Sequence, residues 1–465
     1  METLKDKLHR GFGLSTTTYV IVASMIGVGI LTTSGYIVKD TGSYTVTLLL
    51  WLVGGLLALC GALTVAELAA AMPYAGGEYV FVREAYGRLW AFLYGWISFL
   101  VGFSAPAAII AHGAGRYMVE PLLPGHDPTT LAVTQGLAAL FVVALTAVHL
   151  RGQVLSARVQ NLSTILKLAV LLAIVVGGLA WGQGSFAHLA PDLPDSRTPW
   201  AALGISLVYI MYSYNGWNAA TYLAGEVKDP SRILPRASLL GCAAVVLIYL
   251  LLNLVYVYAL PAEEVLAMSD HQVEPIAALA ARRLFGPWVA TPLSVAIGLG
   301  LLASLSAYIL TGPRVYYAMA RDGLFPAAAG RLHPKTGTPT NATLAQAACT
   351  LVLLFSGTFK NILTYTGVGL LVSSFFVILA LFVLRVRRPE MIRPFKTPGY
   401  PVVPLLFLAA TAWMIVFAFI HQPRWSTISI GTILSGIPVY YIWQDAAGKR
   451  NRHRLPSINE DKALP

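Results

Sequence analysis

Ser24-Met25-Ile26-Gly27-Val28-Gly29-Ile30-Leu31 is the stretch on which the reading of this chain turns. It sits near the middle of an apolar run, 14–38, whose length suits one crossing of a bilayer. Two glycines two apart cost a helix interior roughly 1 kcal/mol each. Backbone groups freed by such a break in hydrocarbon must be satisfied by protein, water or a ligand. Close helix packing through small residues is one explanation. A second interruption at Asn215-Gly216, half a chain later, favours another. Discontinuous helices at corresponding places in two halves point to a binding site near the membrane midplane.

The composition agrees with a chain lying in lipid. Of 465 residues, 57% are hydrophobic and 11% charged, with a mean hydropathy of +0.68. A soluble domain carries about 25% charged residues. Apolar runs recur along nearly the whole length and leave no stretch for a separate soluble domain. The net charge of +11 invites a nucleic-acid reading, which the distribution of charge removes. With the N-terminus placed inside, 24 of the 32 Lys and Arg fall in inside segments and seven outside, with Lys167 alone within a span. That is the positive-inside pattern of a membrane protein. Cys60, Cys242 and Cys349 lie within apolar spans at no ligand-like spacing, so no disulfide framework, metal or cofactor is expected. The first apolar run follows charges as a signal peptide does, but it is too long and lacks a small-residue cleavage site. It reads as a retained span.

An all-α polytopic membrane protein of 12 transmembrane helices is expected. The spans fall near 14–38, 45–70, 89–112, 131–149, 161–179, 200–223, 237–260, 288–311, 342–356, 362–384, 401–420 and 425–443. The ninth is short for a core about 30 Å thick. The broken spans are the first and the sixth, which gives a five-plus-five inverted repeat and two extra C-terminal helices. The chain then divides into a cytoplasmic N-terminus (1–13), a transport core (14–384), a cytoplasmic loop (385–400), helices eleven and twelve (401–443) and a basic cytoplasmic tail (444–465). No catalytic motif stands up beside this. Gly298-Leu299-Gly300-Leu301-Leu302-Ala303 fits a loose dinucleotide fingerprint but follows no strand. No His lies mid-span to serve an intramembrane hydrolase, and no enzyme activity is expected.

Four further signatures occur in order along the chain. Pro73-Tyr74-Ala75-Gly76-Gly77-Glu78-Tyr79 precedes the third span, and Gly216-Trp217-Asn218 with Gly225-Glu226-Val227-Lys228-Asp229-Pro230 follows the second break. Arg314 with Ala318-Met319-Ala320-Arg321-Asp322-Gly323 comes after span eight, and Arg393-Pro394-Phe395-Lys396-Thr397-Pro398-Gly399-Tyr400-Pro401 before span eleven. Together they resemble the amino acid–polyamine–organocation permeases. Gly-Trp-Asn looks most like the L-amino acid transporter branch of that superfamily.

The resemblance implies a secondary active transporter of amino acids, and the residues supply a chemistry for it. A zwitterion needs both charges met at the midplane, where an unpaired ion is costly. A break across Ile26, Gly27, Val28, Gly29 and Ile30 exposes a half-helix N-terminus whose free N–H groups suit a carboxylate. Carbonyls around Ile26 and Tyr212 are candidates for the ammonium. Family members often carry a hydroxyl residue where Val28 stands. Tyr212 matches the family's aromatic gate, and Tyr214, Asn215 and Gly216 are expected to form the unwound stretch. Asn218 falls where some cation-selective relatives place a Glu, which favours neutral substrates. Lys167 either snorkels to the interface or, as the family's helix-five lysine motif implies, stands where sodium-coupled relatives hold a cation. Its expected partners are the Gly27 carbonyl and Ser304, with Ser306 as alternate. Glu226 and Arg236 are assigned to a cytoplasmic ion-pair network.

The expected function is sodium-independent movement of mainly neutral L-amino acids by alternating access, as permease or exchanger. The alternatives are proton-coupled transport of cationic amino acids or polyamines, and a non-transporting sensor of the same fold. The expected surroundings are the bilayer of the inner cell membrane, with both termini cytoplasmic and no nucleic acid. Members of the branch that join a heavy chain use a Cys between spans three and four. The segment 113–130 has none, so no disulfide-linked heavy chain is expected, and a monomer or homodimer is.

Overall fold

The computed structural model describes residues 10–74, 76–123, 128–189, 200–269, 273, 275–356 and 359–452. Each of the twelve expected stretches contains a helix. The first is split into α1 (Leu14–Met25) and α2 (Gly29–Thr41), and α3 (Tyr44–Ala71) follows. Ser43 caps α3, its hydroxyl accepting from the Val46 N–H at 3.2 Å. Next come α4 (Glu78–Tyr86), α5 (Arg88–Ile97), a π-helical turn (Ser98–Ser104) and α6 (Ala105–Val119). Then follow α7 (Pro128–Leu150), α8 (Gln153–Trp181), α9 (Trp200–Tyr214) and the single turn α10 (Ala219–Tyr222). The second half continues with α11 (Pro230–Ala259), α12 (Ala262–Ala267), α13 (Ile276–Phe285) and α14 (Pro287–Arg321). It ends with α15 (Thr340–Leu354), α16 (Phe359–Arg387), α17 (Val402–His421) and α18 (Pro423–Arg452).

Among the described residues, nine helical segments are long and apolar enough to cross a membrane, with α1–α2 and α5–α6 each counted as one. Two shorter apolar helices, Ala202–Tyr214 and α15, add to these. At 1.5 Å per residue, α15 is about 22 Å long. The only strand-like feature among the described residues is an isolated parallel bridge between Phe12 and Val227.

Several helices outrun their expected ends. The eighth span continues to Arg321, so Arg314 is helical and buried rather than in a loop. Glu226 makes this tolerable, accepting from Arg314 Nε at 3.1 Å. Glu226, expected in an ion-pair network, is thus paired with Arg314. Part of the expected tail is helical through Arg452, and 1–9 and 453–465 lie outside the described residues.

The split first helix is the centre of the bundle. α1 packs on α8, α11 and α14, and α2 packs on α9 and α3. Helices α17 and α18 pack against α16 and one another, with α17 also on α3 and α9 and α18 on α5. All residues from Val20 to Val38 but Gly27 are buried, which is unusual for a span with one face to lipid.

Candidate functional site

The first break is three residues long. Ile26 N–H still donates to the Val22 carbonyl at 2.9 Å, but the N–H groups of Val28 and Ile30 bond to none of the carbonyls in the break. They are the first donors of α2, as the start of any helix leaves them. The carbonyls freed on the other side are claimed by α8. Lys167 Nζ donates to Ile26 O at 2.6 Å, Ala23 O at 3.0 Å and Ser304 Oγ at 2.9 Å. Ser304 Oγ in turn donates to Ile26 O at 2.5 Å. An ammonium has three N–H donors, and all three are used here. With Lys167 only 3% exposed, its ammonium does not snorkel. It caps the C-terminal end of α1, where a cation complements the helix dipole. Ala23 and Ile26 stand where Gly27 was expected, because the chain turns away after Ile26. Ser306 bonds His149 Nε2 instead, at 3.0 Å.

The second break, Asn215 to Asn218, is held by shape. Gly216 has φ +112°, a conformation that costs other residues dearly. A Cβ there would stand 2.6 Å from the Ser24 carbonyl carbon. The converse contact is at Gly29, where a Cβ would meet Ser213 Cα at 2.8 Å. The two breaks therefore cross through a pair of glycines. At the crossing, the Tyr249 hydroxyl of α11 donates toward Met25 O at 2.6 Å and Ser213 O at 2.9 Å. One phenol thus ties both helix ends.

The remaining expected site residues are distributed unevenly. Gly27 has no such contact: a Cβ would come no nearer than 4.0 Å, to Ile110. The Val28 side chain packs toward Gly113 of α6. Ile26 and Ile30 are buried, with Ile30 O accepting from Tyr256 at 3.3 Å. Tyr214 remains helical and turns to α3, donating to Trp51 O at 3.1 Å and packing against the Trp51 and Tyr249 rings. Tyr212 is buried. Asn215 Nδ2 donates to the Tyr308 hydroxyl at 3.3 Å. The Ile26 carbonyl, expected to receive a substrate ammonium, already accepts from Lys167 and Ser304. That of Tyr212 accepts from Asn215 N–H at 3.0 Å.

Ser24, Asn215 and Gly216 line a cavity of about 30 Å³ together with Glu78, Tyr94, Tyr222 and Tyr308. That is room for about two water molecules. Glu78, Tyr94, Tyr222 and Tyr308 were not expected as site residues. The available signal was Glu78 itself, an acid directly after paired glycines. The π-helical turn contributes Ser98, Gly102 and Phe103 to the wall, and such turns recur at functional sites.

A broken, lysine-capped helix crossing a second broken helix beside a polar cavity is a binding architecture, and residues 12–442 match the amino acid permease family model. The chain belongs to that family. The permease is similar to the Large neutral amino acids transporter small subunit 2 of Rattus norvegicus, 30% identical over 446 residues, covering 94% of this chain and 82% of the relative. It is 29% identical to the Cystine/glutamate transporter of Homo sapiens over 441 residues, covering 94% of this chain and 86% of the relative. The Asc-type amino acid transporter 1 of Mus musculus is also 29% identical over 441 residues, covering 94% and 81%. The family and these relatives are transporters, so the permease is a multi-pass amino acid transporter and not an enzyme.

Proposed function

We propose that the permease moves mainly neutral L-amino acids by alternating access, independently of sodium, as a permease or exchanger. The observation that carries this is the Lys167 ammonium, bonded to Ala23 O, Ile26 O and Ser304 Oγ. A fixed cation between α1, α8 and α14 does the work that a bound sodium ion would do there, so none is required. The free N–H groups at the start of α2 take the substrate carboxylate. With Ile26 and Tyr212 carbonyls already engaged, the α-ammonium falls to the Ser24 carbonyl, which no backbone N–H reaches. Tyr212 acts as the gate.

Twelve crossings in a five-plus-five inverted repeat, with two added helices and both termini cytoplasmic, fit the places of the breaks and the basic asymmetry. The membrane is the inner cell membrane. The absence of Cys from 113–130 supports a monomer or homodimer without a disulfide-linked heavy chain.

Uptake into proteoliposomes tests the proposal. Replacing sodium by choline leaves the rate unchanged, and amino acid methyl esters and N-acetyl derivatives compete poorly. Strict sodium dependence would reject the Lys167 role, and full competition by the blocked derivatives would reject the pose. Tyr212→Ala impairs transport more than binding; equal loss of both makes Tyr212 a wall residue.

A further inference from the structure

Glu78 is only 3% exposed, and its surroundings are those of a carboxyl group rather than of an ion pair. Oε2 accepts from the Tyr94 hydroxyl, at a short distance, and from the Tyr222 hydroxyl at 2.9 Å. The two phenols lie 3.0 Å apart, and Asn218 Nδ2 donates to Tyr222 at 3.1 Å. Oε1 is buried with no hydrogen-bond partner, in a residue that lines the cavity shared with Ser24, Asn215 and Gly216.

Among the described residues, no cation comes to it from the elements around it. α5 presents Tyr94 and α10 presents Tyr222; α16 presents Ser373 and Ser374; α14 presents Tyr308 and Thr311; α1 presents Ser24. On its own helix, Arg83 is committed to Asp322 and Glu84. On α16, Arg385 is committed to Glu67, and Arg387 to the Ala85 carbonyl. A buried carboxylate without a cation is costly, and a proton on Oε1 removes the charge.

We infer that Glu78 is a proton-carrying site that couples an inward proton to substrate movement. This rests on the transporter reading above and adds the coupling ion to it. While the cavity is closed, the proton sits on Oε1 and the carboxyl is neutral. When α10 moves, Tyr222 withdraws from Oε2 and water enters; hydration then stabilises the carboxylate and the proton leaves to that water. The second break and the proton site are therefore mechanically joined, through Asn218 and Tyr222. Asn218, at the position where some relatives carry a Glu, instead reaches an acid of another element through Tyr222.

The test is reconstituted wild type against Glu78→Gln, which is isosteric with the protonated acid. An inward proton gradient of one unit drives wild-type accumulation by about tenfold at one proton per substrate. In Glu78→Gln that accumulation disappears, while counterflow remains measurable and no longer changes with pH. Equal acid-driven accumulation by both proteins overturns the inference. So does normal wild-type counterflow with no response to the gradient, and so does a loss confined to cationic amino acids, which makes Glu78 a side-chain receptor. Failure of wild-type counterflow itself sinks the transporter reading instead. Infrared spectroscopy then still decides on Glu78: a protonated-carboxyl band missing from Glu78→Gln supports the inference, and its absence from wild type overturns it.

Discussion

The two helix breaks solve the same problem by different means. At the first, the freed carbonyls of Ala23 and Ile26 are met by a charged ammonium delivered from α8 and fixed by Ser304. At the second, no charge takes part: Gly216 turns with φ +112°, Asn215 N–H bonds back to Tyr212 O, and a tyrosine covers Ser213 O. A charge holds its partners at long range but depends on dry surroundings. A left-handed glycine holds by backbone shape and close approach alone. The first break is thus held by charge and the second by backbone shape.

Substitutions can break that division. The largest effect is expected from Gly216→Val, which sets a Cβ 2.6 Å from Ser24 backbone and strains φ at once. Strain and overpacking are each worth about 1–3 kcal/mol, so folded protein should fall sharply in size-exclusion profiles. A well-folded, active variant would show that the second break is free to adopt another turn. Lys167→Ala comes next. Each orphaned acceptor costs about 1–3 kcal/mol, and counterflow should drop by about one to two orders of magnitude. Lys167→Arg should not restore it, since a planar fork misfits a site shaped for an ammonium; rescue by Arg would return the residue to snorkelling. Tyr249→Phe removes the one hydroxyl common to both breaks while keeping the ring. A loss of about 1 kcal/mol, or roughly fivefold in transport, is expected. Unaltered kinetics would mean that the breaks move independently of α11. The smallest effect belongs to Gly27→Ala, whose methyl meets only Ile110 at 4.0 Å. Gly29→Ala meets Ser213 Cα at 2.8 Å and should lose substrate binding by calorimetry, whereas Gly27→Ala keeps it. Equal behaviour of the two glycines would remove the crossing as the reason for either.

Apolar length and two glycine interruptions were enough to place the helices and both breaks from sequence, because each is a local property of the chain. Lys167 and Ser304 were also legible as a pair, through the resemblance to a family lysine motif, since position alone left snorkelling open. Which carbonyls it takes was not, because that depends on where the chain turns after Ile26. Tyr214 illustrates the same limit: its neighbours unwind, but the Trp51 carbonyl and ring hold it on the helical side. Tyr249 carried no sequence signal at all. It is one tyrosine among 22, and only the crossing of α1, α9 and α11 gives it two carbonyls. Glu78 stood in a quoted motif, yet its role comes from Tyr94 and Tyr222, residues 16 and 144 positions away.

The bridge between Phe12 and Val227 has a mechanical meaning. Gly11 and Phe12 N–H groups donate to Glu226 O at 2.9 and 3.0 Å, and Lys228 N–H donates to Phe12 O at 2.9 Å. Through these bonds the chain entering α1 is welded to the chain leaving α10. Glu226 is itself clamped to Arg314 of α14. The first half-helix and the turn beyond the second break are thus joined both at this edge and at the glycine crossing. Three backbone bonds at one edge of the bundle thus tie the entry of α1 to the exit of α10.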